Sequence, residues 1–270
     1  MSTLPPPIFH VEEVPGADVL IVAFTGSGAK FNAIRPFDFF QLTGLLRYHR
    51  ILVREPWHYC YLKGIDKTGL EGLVNRLRGE ITRLAPKRVL FIGVSSGGYA
   101  ALLLGYLLEP DYVHAFSPYT YLDYFNAIKD GSYRDSLLRW AAAMIRVNLL
   151  AANCRRYLDL RPLLTKYIGK TRFYLHACAH SSDRVRAQHV ENCQNTRVFL
   201  YPCDSHNVTW GMIKNKSLYE LLQAENLDDA EAIYQRHYAD FDPNDPACKG
   251  CRGNTKKEMA AVLKKQEGAI

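Results

Sequence analysis

A glycine-bounded serine is the part of this sequence best suited to chemistry. Ser95 lies in the segment G-V-S-S-G at positions 93–97, between an apolar strand-like run and a helix-like run. This pattern is typical of a sharp strand-to-helix turn that lifts a serine hydroxyl out of a sheet as a nucleophile. A side chain at Gly93 or Gly97 would collide with the neighbouring strand or helix. We therefore expect Ser95 to attack a carbonyl carbon, with the backbone N–H of Ser96 facing the developing oxyanion. A glycine turn that only packs tightly or binds phosphate is the alternative, although no Gly-Lys-Ser/Thr follows.

A nucleophilic serine needs a base, and the base needs an acid that orients it. His206 follows the last predicted strand and precedes a helical pattern, so we expect it to be the base, with the loop histidines His58 and His180 as its rivals. Asp183 follows the preceding strand and is the expected acid, which gives the chain order serine, acid, histidine. Asp183 could also be a plain helix N-cap. The other candidate acids are Asp204 and Asp123.

Two further groups of residues could complete such a site. The first strand of the parallel sheet ends in T-G-S at 25–27, and the N–H of Ser27 or Gly26 is the expected second oxyanion donor, with a simple turn as the alternative. Ring-bearing residues follow other strands and could bind a substrate, although they could also be packing residues: Trp57, His58, Tyr59 and Tyr119.

These residues depend on the elements that carry them. Apolar, β-branched runs alternate with helical patterns, which predicts an α/β fold with a mostly parallel sheet of about seven strands and helices on both faces. The expected strands are 8–14, 18–24, 49–53, 88–94, 112–116, 171–178 and 197–201. The expected helices are 37–46, 69–84, 98–107, 183–192, 217–225 and 228–238. The turn at 15–17 suggests that the first two strands form an antiparallel hairpin at one edge.

Two segments interrupt this alternation. Residues 119–169 are too long for a plain crossover and are interpreted as a helical cap insertion. Residues 227–270 look like a small helical and basic C-terminal appendage to a main domain of residues 1–226. The appendage contains a single C-x-x-C motif, Cys248 and Cys251, which lacks the second pair of a zinc ribbon.

The serine elbow, the acid after the penultimate strand and the histidine after the last one resemble the α/β-hydrolase superfamily over roughly residues 8–225. The resemblance implies a Ser95–His206–Asp183 triad, an acyl-enzyme intermediate and cleavage of an ester or thioester, with no metal or other cofactor. Many members have His-Gly at the oxyanion loop, whereas this chain has Thr25-Gly26. An acyltransferase or cyclase using the same residues is the alternative, as is a non-catalytic protein with this fold that binds or scaffolds.

Composition sets outer limits on function. The 270 residues are 48% hydrophobic and 23% charged, which excludes a disordered chain, a collagen and a coiled coil. We find no membrane-spanning run and no secretory signal, and we expect a cytoplasmic protein whose seven cysteines are reduced thiols. The net charge of +7 is mild, so nucleic acid is not the favoured partner. The expected partner is a small acyl substrate. A homodimer is a further possibility, with the apolar helix of the insertion as its interface.

Overall fold

The computed structural model describes residues 8–26, 37–129, 145, 152–203, 206, 208–226 and 228–244. They build one seven-stranded sheet in the order β1-β3-β2-β4-β5-β6-β7, in which every pairing except β1 with β3 is parallel. The strands are β1 Phe9–Glu12, β2 Val19–Phe24, β3 His49–Val53, β4 Arg88–Val94, β5 Tyr112–Phe116, β6 Arg172–Cys178 and β7 Thr196–Tyr201.

Helices connect the strands over both faces of the sheet, as predicted. They are α1 Phe40–Gly44, α2 Gly69–Leu84, α3 Ser96–Leu108, α4 Tyr124–Lys129, α5 Ala152–Arg155, α6 Arg161–Thr165, α7 Ser182–Gln188, α8 Val208–Lys214, α9 Ser217–Leu221 and α10 Ala230–Tyr238, with a 3₁₀ turn at Ala224–Asn226. Most of the apolar helix pattern expected at 136–154 lies outside the described residues.

The central strands are apolar on both sides because both faces of the sheet are covered. All six residues of β2 are buried, and so are all five of β5. One hydrophobic core lies between the sheet and α2, α3 and α7. A second core lies on the opposite face, under α8, α9 and α10. The parallel strands therefore end at a common edge, where the predicted site residues follow them.

The predicted hairpin of the first two strands is wrong. β1 is antiparallel and lies at the sheet edge, but it pairs with β3, with Phe9 opposite Val53. The reason is that the buried strand β2 has parallel partners on both sides, β3 and β4. The connecting turn crosses the start of β3, where the His49 ring contacts the Val14 N–H at 3.2 Å and the Ala17 carbonyl oxygen at 3.0 Å.

The C-terminal helix α10 packs on the second core. Ala230 and Ile233 are buried there, and the Tyr234 hydroxyl donates a hydrogen bond to the carbonyl oxygen of Leu200. The proposed domain boundaries, including the cap insertion, stay predictions. In the part of the chain that the structure describes, no helix is both long and apolar enough to cross a membrane.

Two buried histidines form a polar chain inside the sheet. Nδ1 of His114 in β5 lies 3.0 Å from Nε2 of His176 in β6, whose Nδ1 lies 2.7 Å from the Tyr201 hydroxyl. Burial lowers the pKa of His114 to about 3, and burial and His114 together lower the pKa of His176. Both rings are therefore neutral at physiological pH.

The buried pair His114 and His176 should make the protein less stable at acidic pH. An unfolded histidine has a pKa of about 6.5, so below that pH the unfolded chain binds protons that the folded protein does not. The stabilisation is complete above that pH and is lost as the pH falls toward the folded pKa. Each histidine contributes up to about 1.4 kcal/mol per pH unit to the free energy of unfolding. Urea denaturation at a series of pH values should show that the free energy of unfolding depends less steeply on pH for His114→Phe than for the unmodified chain.

Candidate active site

The serine elbow is built by close approach of backbone atoms. Ser95 has φ 57° and ψ −120°, and its N–H donates to the Phe116 carbonyl oxygen at 2.9 Å. A Cβ on Gly93 would lie 2.1 Å from the Gly97 carbonyl oxygen, and a Cβ on Gly97 would lie 2.1 Å from the Phe24 carbonyl oxygen. Glycine is therefore required at both positions, as expected from the sequence. The turn leaves Ser95 partly accessible directly before helix α3.

The structure brings Asp183 and His206 into direct contact. Nδ1 of His206 lies 2.8 and 2.9 Å from the two carboxylate oxygens of Asp183. Asp183 is buried near the start of α7, whose N-cap is the Ser181 side chain and not Asp183. Burial alone would raise the pKa of the Asp183 carboxyl, but the hydrogen bond and charge of His206 outweigh it, and the pKa is lowered. The carboxylate is thus ionised and fixes which imidazole nitrogen carries a proton.

The rival candidates Asp123 and His180 make other contacts. Asp123 accepts the N–H of Asn126 at 3.0 Å in the first turn of α4, and the ring of His180 packs edge-on against Phe241. Asp204 lies outside the described residues.

Tyr119 lies close to Ser95. Burial raises the pKa of the Tyr119 hydroxyl more than the nearby Ser95 side chain lowers it, and the ring centroid of Tyr119 is 6.2 Å from that of His206. The Cζ of Arg186 lies 4.7 Å from the centroid of the same ring, and Nη1 of Arg186 is 3.6 Å from the Asp183 carboxylate. Of the four ring-bearing residues predicted to bind substrate, Tyr119 is the one that the structure places beside Ser95 and His206.

The glycine loop after β2 is held by a carboxylate. The Gly26 N–H donates to Asp38 Oδ2 at 2.8 Å, and the Asp38 N–H donates to Thr25 Oγ1 at 3.2 Å. The role predicted for the Gly26 N–H, donation to an oxyanion, would require this hydrogen bond to break. Ser27, the other predicted donor, lies outside the described residues, and Ser96 is buried at the first turn of α3.

The loop after β3 carries the other predicted substrate residues. Buried Glu55 accepts the Tyr59 N–H at 2.6 Å, and burial raises the pKa of this carboxyl to about 7. Trp57 and Tyr59 line a groove of about 870 Å³ beside α2, which is separate from the cluster at Ser95. His58 is exposed, with φ 57°.

A disulfide joins the two loops that carry Asp183 and His206. Cys178 ends β6 and Cys203 follows β7, and their Cα atoms are 4.9 Å apart. The expectation of reduced thiols is therefore wrong for this pair, because adjacent parallel strands end side by side and bring the two cysteines together. Cys60, Cys154 and Cys193 are free thiols, and Cys248 and Cys251 lie outside the described residues.

Sequence reasoning missed three contributors to this site: Asp38, Arg186 and the cysteine pair. Arg186 had an available signal, since it is three residues after Asp183 on a predicted helix. Asp38 and the disulfide had none, because their partners are distant in sequence. Among the described residues, no group of three or more histidine, cysteine or acidic side chains is arranged to hold a metal ion.

Comparison with solved structures identifies the fold. A capsule O-acetyltransferase of Neisseria meningitidis serogroup A, in complex with CoA, superposes with a TM-score of 0.57 at 14% identity, covering 78% of this chain and 90% of that one. An α/β-hydrolase enzyme from a lagoon-sediment metagenome gives 0.50 at 14% identity, covering 80% and 94%. Proline iminopeptidase of Mycobacterium smegmatis gives 0.50 at 12% identity, covering 86% and 96%.

The chain therefore has the α/β-hydrolase fold, as its sequence motifs indicated. No protein-family model matches it, and no curated protein matches its sequence. At these identities the likeness concerns the fold.

A methyl group at the elbow should destabilise the protein. Gly97→Ala places a Cβ against the rigid backbone of Phe24, and overpacking of this kind costs about 1–3 kcal/mol or more. Gly79→Ala, in the middle of α2 with open space around it, should instead stabilise by about 0.5–1 kcal/mol. Thermal unfolding of both variants tests this, and equal stability of Gly97→Ala and the unmodified chain would contradict the crowding.

Loss of the disulfide should also destabilise the protein. The bridge spans 25 residues, and removal of a native disulfide typically costs about 2–4 kcal/mol. We expect the double variant Cys178→Ala, Cys203→Ala to unfold at lower urea concentration. Cys154→Ala, which removes a free thiol, is the matched control. Thiol counting in the unfolded, unreduced protein should give the same number for the double variant as for the unmodified chain, because the two cysteines that are removed are not free thiols.

Proposed function

We propose that this protein is a serine acyl hydrolase that cleaves a carboxylic ester or thioester. The observation that carries the proposal is the contact of both Asp183 oxygens with His206 Nδ1, at the sheet edge where the elbow presents Ser95. A buried, ionised carboxylate holds Nε2 of His206 unprotonated and able to accept a proton. The same carboxylate stabilises the imidazolium that forms when His206 accepts it.

The reaction follows from these positions. The Ser95 Oγ attacks the carbonyl carbon as its proton passes to His206 Nε2, and the carbonyl oxygen becomes an oxyanion near the N-terminus of α3. His206 then donates the proton to the leaving group, and an acyl-Ser95 ester remains. In the second half-reaction His206 takes a proton from water as the water oxygen attacks the acyl carbon, and it returns the proton to Ser95 Oγ as the Oγ–carbon bond breaks and the acid is released. Nucleophile and base commonly reach hydrogen-bonding distance only when substrate is bound.

Acyl transfer is the second candidate. The fold neighbour with the highest similarity among those described above is an O-acetyltransferase in complex with CoA. Transfer needs the same acyl-Ser95 intermediate, with an alcohol or amine replacing water as the acceptor. Release of free acid against transfer to added alcohols, from ester and acyl-CoA donors, distinguishes the two candidates.

The test of the proposal is reaction with a fluorophosphonate probe. We expect the unmodified chain to be labelled, and Ser95→Ala and His206→Ala to lose the label. Asp183→Asn should keep the site's shape while lowering kcat by roughly 10³–10⁴-fold, because the amide favours the wrong imidazole tautomer. Activity on p-nitrophenyl esters gives the rates.

Ser182→Ala is the matched control, since it removes a partly accessible hydroxyl close to Asp183. It should be labelled like the unmodified chain. A folded, unlabelled protein would contradict the proposal and favour a binding or scaffolding role for the same fold.

A further inference from the structure

Tyr119 lies close to the other side chains of the candidate site. The Ser95 side chain is close enough to its hydroxyl to affect the pKa of Tyr119, and its ring centroid lies 6.2 Å from that of His206 and 4.7 Å from the Arg186 Cζ. Tyr119 follows β5 by three residues, and β5 neighbours the strand that ends at the elbow. The order of the strands thus places Tyr119 beside the elbow.

The neighbouring backbone keeps this phenol in place. Thr120 Oγ1 donates to the carbonyl oxygen of Arg186 at 2.6 Å, and the Thr120 carbonyl oxygen accepts the Leu160 N–H at 3.0 Å. Both the side chain and the carbonyl group of Thr120 are therefore hydrogen-bonded to other parts of the fold. A donor held in this way needs little reorganisation when charge develops beside it.

The phenol also carries its proton at working pH. The pKa of Tyr119 is raised, with burial as the largest cause, although the nearby Arg186 charge opposes this. A neutral phenol can donate a hydrogen bond, whereas a phenolate cannot. By contrast, the Gly26 N–H at the opposite side of the elbow is already bonded to Asp38.

We propose that the Tyr119 hydroxyl is a catalytic hydrogen-bond donor to the oxyanion of the tetrahedral intermediate. This inference rests on the proposed function. When the Oγ–carbon bond forms, the Oγ proton goes to His206 and the carbonyl π pair becomes a lone pair on the oxyanion. Tyr119 keeps its own proton and donates a hydrogen bond to that oxygen, which is attached to the carbon that Ser95 Oγ attacks.

The experiment compares Tyr119→Phe with Tyr106→Phe, the same chemical change near the far end of α3, where the ring packs on Tyr167. With p-nitrophenyl acetate, we expect Tyr119→Phe to lower kcat by roughly 10²–10³-fold, the usual effect of removing one oxyanion donor, with little change in KM. Affinity for an arylboronic acid, which forms a tetrahedral adduct with serine, should fall in parallel. Tyr106→Phe should match the unmodified chain in both measurements.

Replacement of Tyr119 by 3-fluorotyrosine tests the same role with the ring and hydroxyl intact. Because this phenol is more acidic, activity should decline on the alkaline side at a lower pH than in the unmodified chain. A pH profile that does not move would overturn the donor role, as would a Tyr119→Phe variant that binds the boronic acid normally. If the unmodified chain is labelled by fluorophosphonate but Tyr119→Phe retains full activity, this inference alone fails. An unlabelled, folded unmodified chain overturns the proposed function together with it.

Discussion

The close approach of strand and helix backbones at the elbow is the constraint on which the site depends. β4 must turn into α3 within a few residues, and at that turn the main chain of Gly97 lies against the end of β2. No side chain fits in this space, so Ser95 accepts a left-handed φ that serine rarely adopts. Strain of this kind persists only where the surroundings hold it, and here both neighbouring strands do so. The hydroxyl consequently points away from the sheet toward the loops that follow the other strands.

Those loops lie side by side because the parallel strands end at the same edge of the sheet. The segments after β5, β6 and β7 supply Tyr119, Asp183 and His206, and each is tied to another. The disulfide joins the second to the third, and the contact between Arg186 and the Tyr119 ring joins the first to the second. The buried carboxylate is tolerated because two cationic or proton-donating groups face it, which repays the cost of removing it from water. The charged contacts of Asp183 and the packing of the three loops thus favour the same arrangement of these residues.

Much of the fold and the candidate site could be predicted because the signals are local. The elbow was predicted from five adjacent residues, and the Asp183–His206 pair from chain order and strand ends. β1 was misplaced because a short turn indicates a reversal of direction but not which strand becomes the neighbour. The contact of Asp38 with Gly26 and the pairing of Cys178 with Cys203 depend on residues that meet only after the sheet has formed. No local pattern encodes such contacts.

The edge position of β1 has a practical consequence for handling this protein. β1 covers the outer side of β3, and the Arg54 N–H continues the ladder by donating to the Ile8 carbonyl oxygen at 2.9 Å. An N-terminal truncation past β1 would expose a buried, apolar strand with unpaired backbone groups. Exposed edges of this kind recruit strands from other molecules, so trimmed versions would be prone to aggregation. Expression variants that begin before Ile8 avoid this hazard and keep the loop after β3 anchored.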